Sequence, residues 1–258
     1  MRVSCITITQ AGRLPLLQTA LQDFARQSYQ ERELIILHDA GATYHEAICA
    51  HVQKYTDSMP HGMVHVHAVA AGTTLGALRN KALDWASGAL ICQWDDDDRH
   101  HPLRLELQVQ ALRAQAADFC FLSDQLHLFY DDRMLTWDDW SQEPYPLNFV
   151  QGTLLGFTDK MPRYPNLARG EDTGLCLSIL EAGCKIARLR DVGWSYVYTF
   201  HGANAWHRKH HAAIAKAKHR SSARVLASES LLRRRLAEYE PALGPLTMPL
   251  DDGVIQLG

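Results

Sequence analysis

Apolar runs of four to seven residues alternate with helical stretches through the first 117 residues of this 258-residue chain. Residues 3–8 (VSCITI) read as a buried strand, and Leu14, Leu17, Leu21 and Phe24 mark one face of a helix reaching about residue 27. LIIL (34–37) is a second strand ending in the turn His38-Asp39-Ala40-Gly41, and residues 43–57 read as a helix. MVHVHAV (63–69) is a third strand, followed by a helix that opens between Gly72 and Gly76 and closes near Gly88. ALICQW (89–94) is a fourth strand and runs directly into Asp95, Asp96, Asp97 and Asp98. Pro102 suits a first helical turn, and Leu103, Leu107 and Leu112 carry that helix to about residue 117. Strands alternating with helices of about 12–15 residues mean βαβ units and an open, mostly parallel sheet, an α/β fold. Ligands of such sheets bind beyond the carboxyl ends of the strands, where Thr9, Asp39 and the four aspartates all fall.

The second part of the chain differs. Residues 118–165 are rich in aromatic and turn residues and read as irregular strands and loops around a second half-site. A helix follows over about 171–182, then short strands near 186–189 and 194–200, then HGANAWH and a polar helical tail. The net charge is −3, from 26 Lys+Arg against 29 Asp+Glu, which gives no global reason for a nucleic-acid partner. Between Arg208 and Arg235, however, stand nine Lys/Arg and one acid, Glu229. This basic segment either lies on an anionic membrane surface or forms a solvated helix that pairs with another subunit. The six cysteines show no CxxC and sit mostly in apolar segments, as reduced buried thiols do. The N-terminus alternates like a strand, without a signal peptide's apolar stretch, and no run is long enough to span a bilayer, so a cytoplasmic protein is expected.

WDDDD (94–98) carries the strongest chemical signal. Adjacent carboxylates repel one another unless solvent or a cation compensates them, and hard oxygen ligands suit Mg²⁺ or Mn²⁺. The plain structural account is an exposed acidic loop at the N-terminus of the following helix, favoured by its dipole.

Three stretches decide between these accounts. VSCITITQAGRLPLLQTALQDFARQSYQERELIILHDAG, GTTLGALRNKALDWASGALICQWDDDDRHHPLRLELQ and ARGEDTGLCLSILEAG resemble, in order and spacing, the family 2 inverting glycosyltransferases of GT-A fold over roughly residues 1–200. Gln10 departs from the Asn or Tyr-Asn pair of many members, and the extra Asp leaves the register of the metal-binding carboxylate open by one position. The resemblance implies a GT-A-type, Rossmann-like sheet flanked by helices. Residues 1–205 would be the transferase domain, with a nucleotide-binding half (1–117) and an acceptor half (118–205), and 206–258 a basic helical extension. It further implies a nucleotide-sugar donor, a UDP sugar first, with Mn²⁺ or Mg²⁺, and a saccharide or lipid-linked acceptor in bacterial surface polysaccharide synthesis.

Residue by residue, the resemblance makes Asp39 the nucleobase-recognising carboxylate and Thr9 a lining residue of the same pocket; locally, Asp39 also fits an Asx turn. Arg79 and Asn80 match an ARN segment that approaches the nucleotide. Asp97 is the first choice of metal ligand and Asp96 a ribose or metal contact, with Asp95 and Asp98 as second choices. Asp172, after Glu171, matches the catalytic base of an ED motif, although an acid in a first helical turn also suits the dipole. His201 is a candidate metal or diphosphate contact, with His207 competing for the role. Gly152, Thr153 and Glu171 fall in segments expected to face the acceptor, and Trp137 and Trp140 either stack on a sugar or pack in the core.

Two other readings are available. A nucleotidyltransferase of related architecture needs a Gly-rich basic first loop, and QAGRLPLL holds one Gly and one Arg. A non-catalytic glycan-binding protein would have no use for an intact acidic run and Asp172. HExxH, P-loop and GxGxxG motifs are absent.

Overall fold

The computed structural model of the protein describes residues 1–56, 63–144 and 146–258. Its first half follows the alternation in the sequence: β1 (Val3–Thr9), α1 (Leu14–Ala25), β2 (Arg32–His38), α2 (Ala42–Thr56), β3 (Val64–Ala68), α3 (Leu75–Trp85) and β4 (Leu90–Gln93). Residue 57, the expected end of α2, lies outside the described residues. The two-residue β5 (Arg99–His100) and α4 (Arg104–Ala114) follow the acidic run. β1 pairs in parallel with both β2 and β4, and β2 with β3, so consecutive crossovers bring three strand ends to one rim. Both faces of this sheet are covered, and β1 and β2 are accordingly buried along nearly their whole length.

Helix boundaries have local causes. Thr74 caps α3, its hydroxyl accepting from the Ala77 N–H at 3.3 Å. Gly76 brings the start of α3 against the loop at 165–167, donating its N–H to the Leu167 carbonyl at 2.9 Å. A Cβ at Gly76 would stand 1.9 Å from the Pro165 carbonyl oxygen. That loop leads through Gly170, at φ +75°, into α5 (Glu171–Glu181), so a backbone contact possible only to glycine fixes where Asp172 emerges.

Residues 118–165 are more regular than expected. β6 (Phe119–Leu122), β7 (Asp124–Phe129), β8 (Met134–Asp139) and β9 (Leu155–Phe157) precede α5, and β10 (Ile186–Leu189) and β11 (Tyr196–Phe200) follow it. β9 enters the first sheet antiparallel between β4 and β6, giving the order β10-β6-β9-β4-β1-β2-β3.

The expected helical extension is helical only in part. α6 (Arg208–Ala217), α7 (Ser222–Ala227) and α8 (Glu229–Leu236) lead into a hairpin, β12 (Leu246–Leu250) and β13 (Gly253–Leu257). This hairpin completes a second sheet of order β13-β12-β8-β7-β11-β5. Leu232, Leu236, Leu246, Met248 and Leu257 share one core cluster with Leu126, Leu135 and Trp137. Packing therefore does not divide the chain at residue 205.

The basic segment is answered within the molecule. Arg220 meets Asp191 at 2.5 Å and Asp124 at 3.8 Å, Arg224 meets Asp139 at 2.7 Å, Arg208 pairs with Asp132 and Lys218 with Glu143. No helix among the described residues is long and apolar enough to cross a membrane.

Candidate active site

The ends of β1, β2 and β4 open onto a cleft of about 410 Å³ lined by Thr9, Arg13, Asp39, Arg79, the four aspartates and Asp172. The aspartates are no exposed loop: Asp96 and Asp98 are 2% and 1% exposed. Each carboxylate has a different answer to its charge. Asp95 accepts from Arg79 Nη2 at 2.8 Å and from Gln93 Nε2 at 2.9 Å. Arg13 Nη1 donates to Asp96 Oδ1 at 2.9 Å and to Asp97 Oδ2 at 3.0 Å, and His201 Nε2 lies 3.2 Å from the same Asp97 oxygen. Asp98 accepts from the Tyr196 hydroxyl and from the Thr199 N–H, tying the acidic turn to β11.

These partners sort the acids electrostatically. Burial, and then the charge of Asp97, raise the Asp96 carboxyl to about 7 although Arg13 opposes them. Burial pushes Asp97 up as well, but the His201 hydrogen bond and the Arg13 charge outweigh it and hold Asp97 low. Asp98 is raised well above the usual range by burial, with Asp97 and Asp95 adding to the shift, and it ties the cleft wall to β11.

Asp96, Asp97 and His201 offer two carboxylates and an imidazole, a donor set suited to Mn²⁺ or Mg²⁺, and Asp96 Oδ2 is buried without a hydrogen-bond partner among the described residues. The residues fit a divalent cation in kind. As arranged, no three His, Cys, Asp or Glu side chains among the described residues are gathered to hold one, and the Arg13 guanidinium bridges the two carboxylates.

Asp39 accepts from the Gly72 and Thr73 N–H groups at 2.9 and 3.2 Å, which fixes it at the cleft's rim beyond β2. Thr9 is buried, its hydroxyl 3.0 Å from that of Tyr44. Arg79 is buried between Asp95 and Glu171, the latter at 3.0 Å. Desolvation disfavours its charge, but those carboxylates more than reverse this and raise it well above the ordinary value.

Several expectations need correction. Asn80 does not face the cleft; its amide clasps the Tyr164 backbone, donating to the carbonyl and accepting from the N–H, each at 2.8 Å. Glu171, expected in an acceptor-facing segment, lines the cleft beyond the strand ends and is ion-paired with Arg79. Thr153 is buried and bonds backbone groups of Val150 and Leu122. Trp137 is 1% exposed in the second core, donating to Asp124 at 2.7 Å, so it is not a sugar platform. His207 stands exposed at the start of α6, whereas His201 meets Asp97.

A second cleft of about 450 Å³ adjoins the first, lined by Trp140, Gly152 and residues of β7, β11 and α6. The two clefts share Asp95, Gly170, Asp172, Tyr198 and Trp206. Asp172 thus stands at their junction, its Oδ1 held by the Thr173 N–H at 2.7 Å. Arg13 and Trp206 were not singled out from the sequence; for Arg13 the available signal was its being the one cation in the loop after β1.

An open α/β sheet whose strand ends carry an acidic cleft, adjoined by a second cleft that shares Asp95 and Asp172 with it, has the architecture of the GT-A fold. Residues 4–153, more than half of the chain, match the model of glycosyl transferase family 2, and the chain belongs to that family. Among solved structures it is similar to S. aureus TarS 1-349, alone and in complex with UDP, at TM-score 0.60 and 16% identity over 95% of this chain and 81% of that one. The complex of the same protein with UDP-GlcNAc matches at TM-score 0.57 and 15% identity, over 93% of this chain and 68% of that one. Against another structure of TarS the TM-score is 0.59 at 18% identity, covering 78% of this chain and 37% of that one, so the chain spans little more than a third of that protein's length. At these identities the likeness is one of fold. No curated protein sequence matches the chain.

Proposed function

We propose that the protein is a metal-dependent inverting glycosyltransferase that moves a sugar from a UDP sugar to a hydroxyl of a saccharide or lipid-linked acceptor, in bacterial surface-glycan synthesis on the cytoplasmic side of the membrane. The observation that carries this reading is the position of Asp172 where the two clefts meet. A donor lying in the first cleft and an acceptor in the second have their reacting atoms at that carboxylate.

Asp39 receives the nucleobase, accepting from an imide N–H, and Thr9 lines that end of the pocket. Arg79, held by Asp95 and Glu171, places positive charge where a diphosphate would lie. Asp97, Asp96 and His201 would hold Mn²⁺ or Mg²⁺, which supplies charge neutralisation for the departing nucleoside diphosphate. Asp172 takes the proton from the acceptor hydroxyl as its oxygen attacks the anomeric carbon from the side opposite the leaving group, and a single displacement inverts that centre. The UDP and UDP-GlcNAc complexes of TarS support a uridine nucleotide as donor.

Calorimetric titration of UDP and GDP, with and without Mn²⁺, tests this on wild type and Asp97→Ala. UDP should bind in a Mn²⁺-dependent way and ahead of GDP. Asp97→Ala should cost more than the roughly tenfold that losing an outer-shell partner of a metal costs. Absence of nucleotide binding under every condition would sink the reading.

A further inference from the structure

One guanidinium joins three distant parts of the molecule. Arg13 stands in the loop between β1 and α1, and its Nη1 donates to Asp96 Oδ1 at 2.9 Å and to Asp97 Oδ2 at 3.0 Å. Its Nη2 donates to the Ala203 carbonyl at 3.3 Å. Ala203 belongs to the segment 201–207 that links β11 to α6, and Asn204, Ala205 and Trp206 of that segment line the first cleft. His201 opens the segment with its Nε2 at 3.2 Å from the same Asp97 oxygen that Arg13 meets. Further along, Arg169 Nη1 donates to the Ala205 carbonyl at 3.2 Å, its guanidinium carbon 5.4 Å from the centre of the Trp206 ring. Residues 201–207 are therefore a strap along one wall of the cleft, and Arg13 ties it to the acids. The Arg13 side chain is 18% exposed, which keeps these bonds largely out of bulk water.

The guanidinium and a divalent cation compete for one position. Mg²⁺ sits about 2.0–2.1 Å from each oxygen that it binds. Arg13 Nη1, within hydrogen-bond reach of one oxygen from each carboxylate, already fills the space between them. A second positive charge there is repelled as well as crowded. The guanidinium is planar and rigid, so Nη1 and Nη2 move as one body. An ion that takes Asp96 Oδ1 and Asp97 Oδ2 therefore also breaks the bond to Ala203, and it competes with His201 for the Asp97 oxygen.

We propose that Arg13 is a latch: it pins the 201–207 strap to the acidic pair, and a divalent cation that takes the pair releases the strap. Metal loading is then read out as motion of a cleft wall that Arg13 otherwise holds still. The proposal rests on the cation-binding reading of Asp96, Asp97 and His201, and it is independent of which donor or acceptor the clefts receive.

The test uses the full chain labelled with ¹⁵N-alanine and no nucleotide, titrated with Mg²⁺ while calorimetry follows binding. Ala203→Gly and Ala205→Gly assign the two strap amides. Wild-type Ala203 should start near the rigid order parameter of about 0.85, and at Mg²⁺ saturation it should fall toward the flexible range below about 0.6. Arg13→Ala should show the low value before any Mg²⁺ is added. Arg13→Lys keeps a charge between the acids but lacks the fork that reaches Ala203, so its strap should also be free while Mg²⁺ still meets a competitor. An Ala203 as rigid in both variants as in wild type, or unmoved in wild type at Mg²⁺ saturation, would overturn the latch and leave the cation site standing. Failure of both wild type and Arg13→Ala to bind Mg²⁺ would overturn the metal trigger together with that cation site.

Discussion

At the residue scale, the acidic run shows how one sequence signal divides into several roles. Four consecutive aspartates are chemically alike in the sequence, yet Arg79, Arg13, His201 and Tyr196 separate them into a cleft wall, a pair bridged by Arg13 and a fold anchor. Arg13 occupies the space between Asp96 and Asp97 with its own positive charge. Arg13→Ala should therefore strengthen Mn²⁺ binding in the absence of nucleotide, by about tenfold if a competing ion pair is worth about 1.4 kcal/mol there. Mn²⁺ titration followed by electron paramagnetic resonance measures this, and weaker binding in the variant would show that Arg13 organises the carboxylates instead. Asp172→Asn should lower kcat by about 10²–10⁴-fold, the usual contribution of a general base, with UDP affinity changed far less. Single-turnover assays beside calorimetry separate the two effects. Asp39, Asp97 and Asp172 were legible as candidates because strand ends and motif spacing point to them. Asn80, Thr153 and Trp137 were misplaced because side-chain direction, not sequence position, decides whether a polar or aromatic group faces a cleft or the interior.

At the element scale, periodicity and punctuation located the βαβ half to within a few residues. Those elements bury one face by simple rules, with Thr74 capping α3 and glycine at the start of α5. The second sheet was harder to read because its strands bury polar residues as well as apolar ones: Asp124, Gln125 and His127 in β7 and Asp138 and Asp139 in β8 are all buried. Alternation arguments treat such residues as solvent-facing, and here a cleft and internal ion pairs hold them. The C-terminal hairpin did carry a signal, Asp251-Asp252-Gly253 between two apolar-containing runs. One substitution tests the coupling of elements to the site. Gly76→Ala would gain about 1 kcal/mol of helix propensity. The new Cβ, however, would meet the Pro165 carbonyl at 1.9 Å, a backbone atom that cannot rotate away. Overpacking of that kind costs about 1–3 kcal/mol, so net destabilisation is expected in urea unfolding. Because the same loop leads into α5, kcat should fall with it.

At the scale of the whole molecule, the two sheets share a burden of buried imidazoles that makes stability depend on pH. His101 and His211 are both pushed down to about 4, by burial first. In the unfolded chain histidine titrates near about 6.5, so between these values the unfolded state binds protons that the folded state refuses. The contribution of these two imidazoles is then fully present above about pH 6.5 and is lost as pH falls toward 4, by roughly 1.4 kcal/mol per unit for each, while the Asp96 carboxyl, raised to about 7, opposes it over the same range because the folded state takes up that proton. Urea midpoints of the wild type and of His211→Gln compared between neutral pH and about pH 5 isolate the imidazole: the wild type should lose stability relative to the variant as pH falls, and a constant difference would contradict it. The same scale resolves the charge asymmetry: a basic segment and an acidic body close on each other through Arg208, Arg220 and Arg224. The sequence by itself determined the α/β alternation, the rim onto which the cleft opens and the family, because strand and helix periods and short motifs are local properties. Only the tertiary structure decided that the C-terminal segment completes the second sheet, that Arg13 bridges the acidic pair, and that two clefts meet at Asp172. Those facts depend on contacts between residues as far as 190 positions apart, which no local pattern encodes.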